Sequence, residues 1–138
     1  MSARAITVAM ALCFSVTALA GFREVNRTVV VNQTQRYASG HLAGARASTD
    51  ATQHIACVAT IENASTGDAN SPASISQWGY CFAATATNSS AFCFSANPEM
   101  VGAMRNLQGD SLLEFRWNLN GQCTMVQLKQ ASGLEPKR

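Results

Sequence analysis

The stretch Gly79–Phe94, GYCFAATATNSSAFCF, constrains this chain more than any other part of it. Tyr80-Cys81-Phe82 runs into a polar turn, and Phe92-Cys93-Phe94 runs out of it in near mirror image. A turn centred on Thr87 sets Phe82 opposite Phe92, Tyr80 opposite Phe94 and Cys81 opposite Cys93 in one register. Aromatic cross-strand pairs stabilise a hairpin by roughly 0.2–1 kcal/mol each. Opposed α-carbons lie about 4.5–5.5 Å apart, within reach of a disulfide. A slip of one residue would set cysteine against phenylalanine and turn the aromatics to opposite faces. The expectation is a hairpin whose aromatic side packs inward and whose other side is clamped by a Cys81–Cys93 disulfide. The competing possibility is that these cysteines pair elsewhere.

Whether disulfides form depends on where the chain folds. Residues 1–20, MSARAITVAMALCFSVTALA, carry one positive charge at Arg4, an apolar run and a terminal Ala18-Leu19-Ala20. That is the three-part pattern of a secretory signal peptide. The apolar run of about 15 residues is shorter than the roughly 20 that span a membrane. Cys13 lies inside this segment, which leaves Cys57, Cys81, Cys93 and Cys123 in the exported chain. An even number in an exported domain predicts two disulfides with three possible connectivities. Cys57–Cys123 would complete the hairpin pair. A zinc site is disfavoured, because zinc-binding cysteines come as closely spaced C-x2-4-C pairs and the nearest two here are twelve apart.

Beyond residue 20 the periodicity is mostly that of strands. Residues 21–35 read as an N-terminal arm or edge strand, with the β-branched run Thr28–Val31. Residues 36–130 read as the disulfide-bonded β domain and 131–138 as a flexible tail. RYASGHLAGARA, 36–47, reads as a strand bent at Gly40 and Gly44. Ile55, Cys57, Ala59 and Ile61 share one face of a strand at period two, and 63–74 is a turn-rich loop. Asn97 as N-cap, Pro98 at the first helical position and Glu99 in the first turn predict a helix over about 97–108. Gly109 is expected as its left-handed stop. Asn120-Gly121 predicts a type I′ hairpin turn, which sets Phe115 opposite Val126, Leu113 opposite Leu128 and Cys123 opposite Asn118. The fold expected is mainly β. It is a small curved sheet or open barrel of five to six antiparallel strands, with one α-helix before the last hairpin.

Chemistry-bearing residues are sparse. Only 13% of the chain is charged. His41 and His54 read as surface residues. Asp50 stands four positions before His54, but no serine sits in a nucleophile-elbow pattern. Asp68 and Asp110 are lone loop carboxylates, Asp110 reading rather as the start of a strand. Four glycosylation-type sequons, at Asn26, Asn32, Asn63 and Asn88, are of the kind an Asn-, Ser- and Thr-rich chain produces by chance. No phosphate-binding loop, cofactor motif or metal-ligand spacing is present in the sequence. Removing Arg4 leaves nine basic against eight acidic residues with no basic stripe, which argues against nucleic acid as a partner. No second apolar segment could cross a membrane. By elimination the chain reads as a non-catalytic binding module for a protein or a glycan, exported to the periplasm or the extracellular medium. The alternatives are a small hydrolase-like enzyme using Asp50 and His54, or an enzyme inhibitor presenting the loop 63–74. Trp78, Tyr80 and Trp117 are the candidate ligand-stacking residues, set against their use as core.

The combination of an N-terminal signal with SGHLAGARAS, HIACV, the two central cysteines, NPEMVGAM and DSLLEFRWNLNGQC resembles small, uncharacterised exported proteins of proteobacteria. The resemblance covers about Ser39 to Lys129. It implies a periplasmic or extracellular location and carries no activity and no functional residue.

Overall fold

The computed structural model describes residues 28–64 and 74–130. Residues 1–20, read from sequence as a signal peptide, the sequon at Asn26, Asp68, most of the expected loop 63–74 and the expected tail 131–138 lie outside the described residues. The elements run β1 (Val30–Asn32), β2 (Tyr37–His41), α1 (Leu42–Arg46), β3 (His54–Ala64), β4 (Ser74–Ala84), β5 (Ser90–Ser95), α2 (Pro98–Arg105), β6 (Leu112–Trp117) and β7 (Cys123–Lys129). The fold is mainly β, as the periodicity predicts. Among the described residues seven strands form two antiparallel sheets, ordered β1-β2-β6-β7 and β3-β4-β5, and close into no barrel. A parallel bridge between Phe94 and Gln122, with Phe94 N–H donating to the Gly121 carbonyl at 3.0 Å, joins the two sheets at one corner.

The long hairpin has the register read from its sequence: Tyr80 opposes Phe94, Cys81 opposes Cys93 and Phe82 opposes Phe92. Its turn carries Asn88 at φ 62, with Asn88 N–H donating to the Thr85 carbonyl at 3.0 Å. Which face points inward is the reverse of the expectation. Gly79, Cys81, Ala83, Ala91, Cys93 and Ser95 are buried, whereas Phe92 and Phe94 are exposed and Trp78, Tyr80 and Phe82 half-buried. Small side chains on the inner face allow a second layer to come close. A Cβ on Gly79 would stand 2.6 Å from the Met104 sulfur of α2 and 2.7 Å from the Val58 carbonyl oxygen. The bulkier aromatics are left on the outer face.

The disulfide pairing differs from the expectation as well. Cys57 bonds Cys81, and Cys93 bonds Cys123. Cys57, Cys81 and Cys93 stand in one rank across three adjacent strands, so Cys81 has a directly opposed cysteine on either side. It takes the one on β3, and Cys93 reaches across to the other sheet. A register shift in the last hairpin brings Cys123 to it. Phe115 opposes Val126 and Leu113 opposes Leu128 as expected, but Cys123 opposes Trp117 and not Asn118. The turn is a three-residue loop with Gly121 at φ 74. Gly121 N–H donates to the Asn118 carbonyl, which makes it a turn followed by a left-handed residue and not a type I′ pair. Thr124 is thereby left unpaired as a bulge. One extra residue moves everything beyond it to the opposite face, and it turns Cys123 from the polar side into the core.

The core lies between the sheets. Phe115, Leu113, Ala38, Cys81 and Cys93 are fully buried there, with Val101 and Met104 of α2. The α2 helix packs on β3, β4 and β7. Asn97 caps it, its side-chain oxygen accepting from the Glu99 and Met100 amides at 2.9 and 3.2 Å. The helix ends earlier than expected. Asn106 is its C-cap, and its N–H bonds back to the Ala103 carbonyl in a tightened last turn, so Gly109 is not a left-handed stop. Residues 36–47 also depart from the strand reading. The segment turns into the short helix α1 at His41, whose ring Nδ1 accepts from the Gly44 amide at 3.1 Å. His41 is therefore a buried cap, 2% exposed, and not a surface residue.

Candidate binding site

Period-two alternation along β4 sends Trp78, Tyr80 and Phe82 to the outer face, and β5 adds Phe92 and Phe94 beside them. The rings are in mutual contact. Trp78 and Tyr80 lie 6.2 Å apart with planes 20° from parallel, and Tyr80 meets Phe82 at 6.0 Å and Phe92 at 5.6 Å. Trp78 also approaches Phe94 at 6.2 Å. On β3, Val58 stands opposite Tyr80 and extends the apolar centre. Phe92 is 55% exposed, Phe94 41% and Val58 38%. Around this centre the same outer face is polar: Glu62 and Ser76 at one end, His54 and Ser90 at the other.

Of the three stacking candidates, the fold brings two together. Trp78 and Tyr80 share the outer face, whereas Trp117 lies on β6 of the other sheet against Phe115, with ring centroids 5.8 Å apart. Trp117 instead lines an open cleft of about 620 Å³, together with Arg36, His54, Phe82, Phe92 and Asn118. The cleft begins where the aromatic face ends, since Phe82 and Phe92 belong to both. Phe82, Phe92 and Phe94, which the sequence placed on the inward side of the hairpin and not among the stacking candidates, thus extend the array. Their signal was present in the alternation of aromatics with glycine, alanine and cysteine.

The acid–base candidates do not meet. The Asp50 carboxylate accepts from the Thr52 amide at 2.9 Å and the Thr52 hydroxyl at 2.8 Å. The backbone bond from Thr52 first, and the hydroxyl next, hold its pKa below the usual 3.8. His54 Nδ1–H donates to the Thr52 carbonyl at 2.8 Å, and its ring leans on Phe82 at 5.4 Å. Asp50 and His54 therefore both serve the turn around Thr52 and do not form an acid–base pair. The Cys81, Cys93 and Cys123 sulfurs lie within 4.8 Å of one another, a spacing a soft metal ion could bridge. Each of them is committed to a disulfide, so none is available as a thiolate ligand. Among the described residues no helix is long and apolar enough to cross a membrane. No family model, curated protein or solved structure matches the chain.

Proposed function

We propose that this chain is an exported, non-catalytic binding module that docks a partner protein on the outer face of β3-β4-β5. The observation that carries the reading is the contiguous aromatic array Trp78, Tyr80, Phe82, Phe92 and Phe94 left at the surface of a disulfide-bonded domain. Contiguous exposed apolar patches mark interaction surfaces. An aromatic centre inside a rim of Glu62, Ser76, His54 and Ser90 has the anatomy of a protein–protein interface. Export is supported by the N-terminal pattern and by the resemblance to small exported proteobacterial proteins. Two disulfides also favour a non-reducing compartment.

Photo-cross-linking tests the reading. A photoreactive residue at position 92 should capture one protein from a periplasmic extract or culture medium, and the same residue at exposed Gln127 on the other sheet should not. Titration of that purified protein should show at least about tenfold weaker binding to Tyr80→Ala. Retention on a polysaccharide, lost in Trp78→Ala and unaccompanied by any protein adduct, would replace the protein partner with a glycan.

A further inference from the structure

We propose that the cleft between the Phe82/Phe92 end of the hairpin and Trp117 binds a small ring-bearing carboxylate, with Arg36 receiving the carboxylate. The cleft adjoins the outer face and shares Phe82 and Phe92 with it, but Arg36 and Trp117 belong to the cleft alone, so the two proposals can be tested apart.

Three observations converge on it. The first is lining chemistry. Phe82, Phe92 and Trp117 line it, and among the described residues the ionisable groups of the wall are Arg36 and His54, with no carboxylate. At about 620 Å³ the space falls within the range of small-molecule sites. The second is an uncommitted cation. Among the described residues the Arg36 guanidinium makes no hydrogen bond or ion pair, whereas Arg116 on the neighbouring strand is held by Glu114 at 3.0 Å. A planar guanidinium presents a fork of donors that matches a carboxylate.

The third observation is the backbone beneath that cation. Arg36 has φ 49, the left-handed region where glycine or asparagine sits with less strain. Arg36 takes this conformation as the last residue of the turn that joins β1 to β2, so the turn fixes where its side chain starts. Its placement is also fixed relative to the aromatic wall. The Arg36 carbonyl accepts from the Trp117 amide at 3.2 Å, next to the Tyr37–Arg116 pair of the β2-β6 ladder. The Arg36 and Trp117 backbones are therefore held opposite each other at one end of one sheet. His54 commits Nδ1–H to Thr52, and among the described residues its Nε2 has no partner and offers a second polar contact.

Such a ligand could be an acidic sugar or an aromatic acid, which share a six-membered ring and a carboxylate. Trp78→Phe leaves Trp117 as the sole indole of the chain, so its fluorescence reports on the cleft. In this background we expect saturable quenching by galacturonate or by benzoate, whichever ring the wall prefers. The neutral counterparts, galactose and benzyl alcohol, should bind at least about tenfold more weakly, because a hydrogen bond to a charged group is lost. Adding Arg36→Asn should abolish the preference for the acid while the melting temperature stays level or rises, since asparagine relieves the left-handed strain. Equal binding of acid and neutral probes would overturn the proposal. So would an acid preference that survives Arg36→Asn, or no response to either acid at 10-millimolar order concentrations.

Discussion

Removing one disulfide at a time separates the observed connectivity from the one the hairpin register suggests. The bridges span 24 and 30 residues. In the chain-entropy model these separations are worth about 3.5 kcal/mol each, within about 0.2 kcal/mol of one another. Cys57→Ala/Cys81→Ala and Cys93→Ala/Cys123→Ala should therefore be destabilised about equally, each keeping one intact bridge. Cys81→Ala/Cys93→Ala breaks both bridges and should lose close to 7 kcal/mol on the same model. With a Cys81–Cys93 bridge the order inverts, because that third variant would lose only the short loop, worth about 3 kcal/mol. Urea denaturation of the three variants measures the ordering, and a loss of about 3.5 kcal/mol in a domain of this size lowers the melting temperature by roughly 10 °C or more. Non-reducing peptide mapping gives an independent check. Trypsin leaves Cys57, Cys81 and Cys93 on residues 47–105, and a second cut within 83–90 divides that peptide. The Cys81 and Cys93 fragments should then separate without reductant, Cys93 leaving with the tryptic peptide 117–129. A Cys81/Cys93 double variant that proves the least destabilised of the three would refute the pairing.

Gly79→Ala should cost about 1–3 kcal/mol by overpacking, measured as a lower urea midpoint. Adding Met104→Ala should not restore it, because the Val58 carbonyl, 2.7 Å from the new methyl, is backbone. Phe115→Ala, at a fully buried side chain, should cost about 3–5 kcal/mol. Phe92→Ser, at a 55% exposed ring, should stay within about 0.5 kcal/mol, and the two together test by denaturation which aromatics are core. Asn97→Ala should lose about 1 kcal/mol through the α2 cap, with Asn97→Asp close to wild type. For Asp50 the folded pKa lies below 3.8, so its ionised form stabilises the fold above that pH and the contribution is lost as pH falls through the lower folded value. Melting curves of wild type and Asp50→Asn should differ at pH 5 and converge towards pH 2.

Local patterns settled a good deal of this protein. The mirrored aromatics around Thr87 specify the β4-β5 register because only one alignment pairs like with like. The Asn120-Gly121 turn signal places the Phe115–Val126 and Leu113–Leu128 pairs, although the loop has three residues and a bulge in place of a type I′ pair, and Asn97-Pro98-Glu99 specifies where α2 starts. Each of these rests on contacts within a few residues or across one turn. The helix at 42–46 was not legible, since its cap is a histidine, an unusual N-cap, and its only buried residue is Ala45.

Period two says which residues share a face, but it is silent on which face meets a second layer. For β4 and β5 the two faces were large aromatics and small residues with cysteine, and the size of the aromatics argued for burying them. The tertiary structure chose the other side, because α2 and the opposite sheet approach so closely that Gly79, Ala83 and Ala91 fit and rings do not. The disulfides follow from the same choice. With Cys57, Cys81 and Cys93 in one inward rank, the pairing turns on the bulge at Thr124, which brings Cys123 inward from another sheet. No pattern confined to one hairpin contains that information.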